Sequence, residues 1–213
     1  MSTINDIKES YKKGKLIPFI GSGFTTNIDD YPQWYDFIMI LENDLRDNFS
    51  INANLLSIFK NNYLEATEYY VWASGNFLLT KGYAKSRPHD PFIEGKLQLL
   101  GKLKELLSKQ KYDASNSLIN KFRDTIYTTN WDDTLEKAHD SNLPPIYKLE
   151  NFRTVDKGPF IIKFHGHYED YTAESLIACE TDYLKRISEE NPFDIKLKND
   201  LLHKNFLFIG YSF

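Results

Sequence analysis

A single cysteine, Cys179, leaves no partner for an intramolecular disulfide and too few thiolates for a four-cysteine zinc site. Positive charge is also in short supply. The 26 basic side chains are outnumbered by 30 acidic ones, giving a formal net charge of −4, and no Lys/Arg block is dense enough for a nucleic-acid footprint. No window approaches the run of about 18 apolar residues that a membrane helix needs, so no membrane partner is expected. The first residues, MSTINDIKESYKKGK, lack the apolar core of a signal peptide. A reducing, cytoplasmic setting is the expectation. What is present is ordinary for a globular protein: 41% apolar and 26% charged residues over 213 positions, enough for one domain carrying a smaller inserted lobe.

Helical spacing of Ile4, Ile7 and Tyr11 predicts a short opening helix over residues 3–13. The brief apolar run Leu16 to Phe24, ending in two glycines, predicts a buried first strand that feeds a tight turn. Trp34, Phe37, Ile38, Leu41 and Leu45 then recur three or four apart, as on one face of a helix from Pro32 to Asp47. Residues 50–122 carry helical spacing and no convincing strand, which predicts an all-helical lobe. Its aromatics Tyr63, Tyr69, Tyr70, Trp72, Phe77 and Tyr83 are expected in its core. Strands are expected again at Thr125–Thr129, Ile146–Leu149, Phe160–Phe164 and Phe206–Ile209. Between the last two, Glu180 to Lys204 reads as two helices broken at Asn191-Pro192. Short apolar strands alternating with helices predict an α/β fold: a Rossmann-like, doubly wound parallel sheet with an inserted helical lobe, its ligands at the carboxyl ends of the strands.

Four polar clusters fall at those strand ends. Gly21-Ser22-Gly23-Phe24-Thr25 could cradle a phosphate or be a structural turn. It lacks the Gly-Lys-Ser/Thr of a P-loop and the third small residue of a dehydrogenase fingerprint, and Glu42 and Asp44, the acids about 20 residues on, lie inside a predicted helix. In Thr128-Thr129-Asn130-Trp131-Asp132-Asp133 either aspartate could cap the helix that follows, which leaves Asn130 unexplained. Phe164-His165-Gly166-His167 has a metal-ligand spacing without a third or fourth partner, so no metal is expected. Gly210-Tyr211-Ser212 means little by itself.

In this order and at these positions, GSGFT, TTNWD, FHG and GYS resemble the motifs of the sirtuin superfamily, roughly GAGxS, TQNxD, HG and GTS. The likeness is to the sirtuin-like NAD hydrolase domains of bacterial anti-phage defence proteins, and it covers residues 14–213, least well in the helical lobe. It implies Gly21, Ser22, Gly23 and Thr25 around the NAD phosphates, and Asn130 beside the nicotinamide ribose. Asp132 would sit at the nicotinamide end, His165 would be the catalytic histidine, and Gly210 and Ser212 would lie on the adenosine side. His167 has no role in that pattern. Two departures favour hydrolases over protein deacylases: the paired Cys-x-x-Cys of a zinc module is missing, and Tyr31-Pro32-Gln33-Trp34 stands where deacylases have Pro-Asp-Phe-Arg.

The reaction so implied cuts the nicotinamide–ribose bond of NAD, with NAD as substrate and no metal, and depletes NAD in abortive infection. Asn130 can orient water or ribose hydroxyls without titrating, and His165 can take a proton near neutral pH. The rival readings are a sirtuin-type NAD-dependent deacylase, a non-enzymatic NAD or ADP-ribose binding module, and a structural interaction domain. The chain stops three residues after Gly210, where a parallel sheet turns into its next element. It is therefore expected to be a truncated portion of a larger protein, with homo-oligomerisation and a phage or host activator acting through regions beyond it.

Overall fold

The computed structural model describes every residue except 1–2, 29–30, 61, 86–88, 111–113, 123, 140–142, 155–158, 190 and 212–213. Its elements follow in chain order: α1 (Ile4–Lys12), β1 (Leu16–Ile20), a 3-10 turn (Ser22–Thr25), α2 (Trp34–Phe49), α3 (Leu55–Phe59), α4 (Tyr63–Thr80) and α5 (Pro91–Leu107). A second 3-10 segment (Ala114–Lys121), β2 (Ile126–Thr128), α6 (Thr134–Ala138), β3 (Pro145–Ile146), α7 (Leu149–Thr154), β4 (Ile161–Lys163), α8 (Glu180–Ser188), α9 (Pro192–His203) and β5 (Asn205–Ile209) complete it. They fall into two compact units, one of residues 1–29, 111–167 and 189–213 and one of residues 30–110 and 168–188.

The first unit holds a five-stranded sheet in the order β3-β4-β2-β1-β5, with every pairing parallel. Alternation along the strands sends Ile20, Ile126 and Ile161 to one face, where they pack with Ile119 of the second 3-10 segment and with Leu135 and Ala138 of α6. Ile17, Tyr127, Ile146 and Ile162 face the other way, onto Phe193 of α9 and Phe152 of α7. With both faces covered, the strands can be continuously apolar, as their sequences are. This is the α/β, Rossmann-like sheet the alternating pattern predicts. Pro18 fits inside β1 because the even-numbered residues there face β2, as Ile20 does in accepting from the Thr129 amide at 3.3 Å. The paired positions with β2 begin at Phe19, one residue beyond the missing donor.

One strand expectation needs correction. Ile146–Leu149 is strand only through Ile146, preceded by Pro145. The Asn151 side chain takes the amide hydrogens of Tyr147 and Lys148, at 3.3 and 2.9 Å, and starts α7 at Leu149 instead.

The second unit is helical. α4 and α5 cross where two glycines meet backbone: a Cβ on Gly75 would come within 1.8 Å of the Pro91 carbonyl oxygen, and one on Gly95 within 1.8 Å of that of Val71. Asp44 of α2 is buried and accepts from the Tyr70 hydroxyl at 2.7 Å, with the Lys102 ammonium 2.5 Å away. Glu42 accepts from the Leu55 amide at 2.9 Å. Both acids are thus occupied inside the helical unit, as their place in an amphipathic helix foretells. Of the aromatics expected in the core, Tyr70 is fully buried, but Tyr69, Trp72 and Tyr83 are exposed. Trp72 packs on Phe92 at the surface of the α4–α5 pair.

Candidate active site

The strand order lines up the polar clusters. From β4 through β2 and β1 to β5, neighbouring strands end in Phe164-His165-Gly166, Thr129-Asn130, Gly21-Ser22-Gly23 and Gly210-Tyr211. Four segments far apart in sequence therefore form one row along the carboxyl edge of the sheet, the usual ligand edge of such folds.

The glycine turn closes directly on the end of β5. The Gly21 amide donates to the Ile209 carbonyl at 2.8 Å and the Gly23 amide to the Gly210 carbonyl at 2.9 Å. A Cβ on Gly21 would lie 2.7 Å from the Gly210 oxygen, and one on Gly23 would lie 2.8 Å from the Gly210 Cα. Gly210 has φ +77°, and a Cβ there would reach 2.5 Å from the Phe24 nitrogen, so this position excludes a side chain on both counts. The three glycines are thus required by the approach of the two turns to each other. Thr25 is fully buried and its hydroxyl donates to the Ser22 carbonyl at 2.9 Å. Tyr211 caps the junction, its hydroxyl 2.9 Å from the Thr129 hydroxyl and 3.2 Å from the Ile20 carbonyl. Burial raises its pKa. Ser212 lies outside the described residues.

Asn130 is buried, and its Nδ2 donates to the Gly21 carbonyl at 3.2 Å while its backbone amide donates to the Thr128 hydroxyl at 3.0 Å. Its side chain therefore ties the end of β2 to the glycine turn. His165 is half-buried, two residues past Lys163. Lys163 pairs in register with Thr128, so Asn130 and His165 stand equally far beyond the last paired positions of adjacent strands. Gly166 follows with φ +84°, a left-handed turn that any other residue would strain.

Asp132 is buried and its Oδ1 accepts from the Thr134 amide at 2.9 Å, the local turn that starts α6. Its backbone carbonyl accepts from Lys163. The Lys163 side chain is fully buried, and its ammonium also lies 2.9 Å from Glu136 Oε1, with His167 Nε2 3.6 Å from the same oxygen. His167 stacks on Tyr147, ring centres 5.3 Å apart. Burial pushes the Glu136 carboxyl up, but Lys163 and His167 outweigh it and hold the group down at about 2, against an ordinary 4.5. Among the described residues no group of three or more His, Cys, Asp or Glu is arranged to hold a metal.

The motif pattern does not single out Lys163 or Glu136. The available signal is a lysine inside the otherwise apolar strand Phe160-Ile161-Ile162-Lys163-Phe164, since a charge on a covered sheet needs a buried counter-charge.

The depressed carboxyl fixes a sign for acid stability. Its contribution is complete above the ordinary value of 4.5 and is lost as pH falls through the folded value of about 2. By linkage it is on the order of 3 kcal/mol. Glu136→Gln should therefore unfold at lower urea than the wild type at pH 7, and the gap should narrow steadily below pH 4.5. A gap that widened on acidification would contradict the ion pairing.

Residues 124–213 match the SIR2-like domain family. The chain is similar to an NAD(+) hydrolase ThsA of Cytobacillus dafuensis, with 38% identity over 95 residues, covering 42% of this chain and 19% of that protein. A ThsA of Bacillus cereus gives 33% over 94 residues with the same two coverages. Defense-associated sirtuin 2 of Bacillus subtilis aligns along 98% of the chain at 24% identity, again over 19% of its own length. The chain thus spans about a fifth of the curated relatives it matches. The segment that carries Asn130, His165 and Gly210 lies within the residues that match the SIR2-like domain family.

Proposed function

We propose that this chain is the catalytic part of an NAD hydrolase that cleaves the nicotinamide–ribose bond, releasing nicotinamide and ADP-ribose, and that it acts by depleting NAD in anti-phage defence. The observation that carries this reading is the row of strand ends, in which Asn130 and His165 follow neighbouring strands and Asn130 is bonded to the glycine turn. Two of the relatives named above are called NAD(+) hydrolases, and a third is called defence-associated.

Nicotinamide in NAD is already cationic, so it leaves with the electron pair of the broken C–N bond and needs no proton. Water supplies the new bond to the ribose carbon, and its proton goes to the imidazole of His165, a group type suited to proton exchange near neutral pH. Asn130 supplies a donor and an acceptor in one non-titrating group, and its anchorage to the Gly21 carbonyl fixes its orientation before substrate arrives. Gly21, Ser22, Gly23, Thr25 and Gly210 with Ser212 would line the phosphate and adenosine side, and Asp132 the nicotinamide end. Control is assigned to homo-oligomerisation and a phage or host activator, acting in the cytoplasm through regions beyond this chain.

The test is incubation of the full-length protein with NAD, alone and with lysate of phage-infected cells, followed by chromatography. Equal amounts of nicotinamide and ADP-ribose are expected. Intact NAD under both conditions would overturn the reading, and so would nicotinamide release only when an acetyl-lysine peptide is also present.

A further inference from the structure

The backbone ladder between β2 and β4 stops short of the residues proposed to do the chemistry. Its last paired positions are Thr128 and Lys163, followed by one further bond from the Phe164 amide to the Thr128 carbonyl at 2.9 Å. Asn130 and His165 lie past it, on segments that have left the sheet. The Lys163 side chain takes over there. From the strand that ends in His165, its ammonium reaches the backbone carbonyl of Asp132, two residues after Asn130. It also meets Glu136 on α6, the helix that continues the Asn130 segment. Glu136 in turn lies 3.6 Å from His167, two residues after His165.

A fully buried lysine is a costly way to hold two loops unless its charge is matched and its hydrogens are used. Here Glu136 matches the charge and the Asp132 carbonyl takes a hydrogen. An apolar side chain at position 163 would fill the same buried space but could grip neither the Asp132 carbonyl nor Glu136.

We infer that Lys163, Glu136 and His167 form a positioning device that locks the Asn130 segment and the His165 segment to each other. This rests on the NAD-hydrolase reading for its catalytic consequence, though not for its structural one. Lys163 and Glu136 touch no substrate. They act through the placement of Asn130 and His165, and a displacement of about 1 Å at such a site costs on the order of 100-fold in rate.

The test uses the full-length protein carrying Lys163→Met together with Glu136→Gln, a pair of similar volume that removes both members of the buried ion pair. Nicotinamide release by the wild type decides the hydrolase reading separately. In the double variant kcat should fall by about 100-fold while KM for NAD changes by less than about threefold, the split expected when orientation and not binding is lost. Hydrogen exchange gives a readout independent of turnover. Amides of residues 129–134 and 164–167 should exchange at least about tenfold faster than in the wild type, with those of β1 and β5 unchanged. Unaltered exchange across both loops would overturn the proposal whether or not the wild type consumes NAD, as would a kcat within twofold of the wild type in an active enzyme.

Discussion

Alanine at His165 should lower nicotinamide release from the full-length protein by at least about 100-fold, the lower end of what a general acid–base contributes, while barely moving its thermal unfolding. The imidazole is half-buried at a strand end and belongs to neither apolar cluster of the sheet. Asn130→Ala should lose turnover to a similar degree but behave differently under heat. Its amide donates from a buried position to the Gly21 carbonyl, which also accepts from the Phe24 amide at 3.1 Å, so its removal costs one ordinary hydrogen bond, about 1 kcal/mol. A fall in Tm of about 2–4 °C is therefore expected for Asn130→Ala and not for His165→Ala. Measuring turnover and Tm side by side separates the two roles: turnover near wild type in either folded variant would remove that residue from the mechanism, and equal Tm values would remove the anchoring role of Asn130.

The second large effect concerns stability. Gly95→Ala should destabilise the helical unit by about 3 kcal/mol or more, at or above the usual cost of overpacking, because its Cβ would overlap the Val71 carbonyl oxygen of α4, an atom with no rotamer to escape through. Gly75→Ala meets the Pro91 carbonyl in the same way. The control lies on the same helix. Gly101 is exposed and a Cβ there meets nothing within 4 Å, so Gly101→Ala should stabilise by up to about 1 kcal/mol through helix propensity alone. Urea titrations of the three variants would show opposite signs for positions 95 and 101 of one helix. A neutral Gly95→Ala would mean the two helices are not held at this separation.

Much of the fold is legible in the sequence, for identifiable reasons. The inner strands stand out because a sheet covered on both faces demands apolar runs, and LIPFI and FIIKF supply them, while the edge strand NFLFI is apolar although Phe208 is half exposed. The helix break at Asn191-Pro192 is visible because Asn191 caps α9 through its side chain, with proline in the first turn. The clusters at strand ends are visible because polar residues there interrupt those runs. Other features depend on contacts between distant residues. The end of β3 follows from one side chain, Asn151, competing for two backbone hydrogens. The packing of Gly21 and Gly23 on Gly210 joins segments far apart in the chain, and no local pattern distinguishes it from a phosphate cradle. Lys163 and Glu136 are 27 positions apart and acquire meaning only once β4 lies beside β2.

The pairing of β1 with β5 also sets a clock. Leu16–Ile20 lies in register with Asn205–Ile209, so the strand synthesised first waits for a much later one to emerge, roughly 10–40 s at ordinary translation speeds. Until then the Gly21 and Gly23 amides lack the carbonyls of Ile209 and Gly210 that receive them. Closing so long a loop makes this a slow, late event in folding. A nascent chain halted after residue 165 but before residue 205 thus carries Asn130 and His165 without a finished glycine turn beside them.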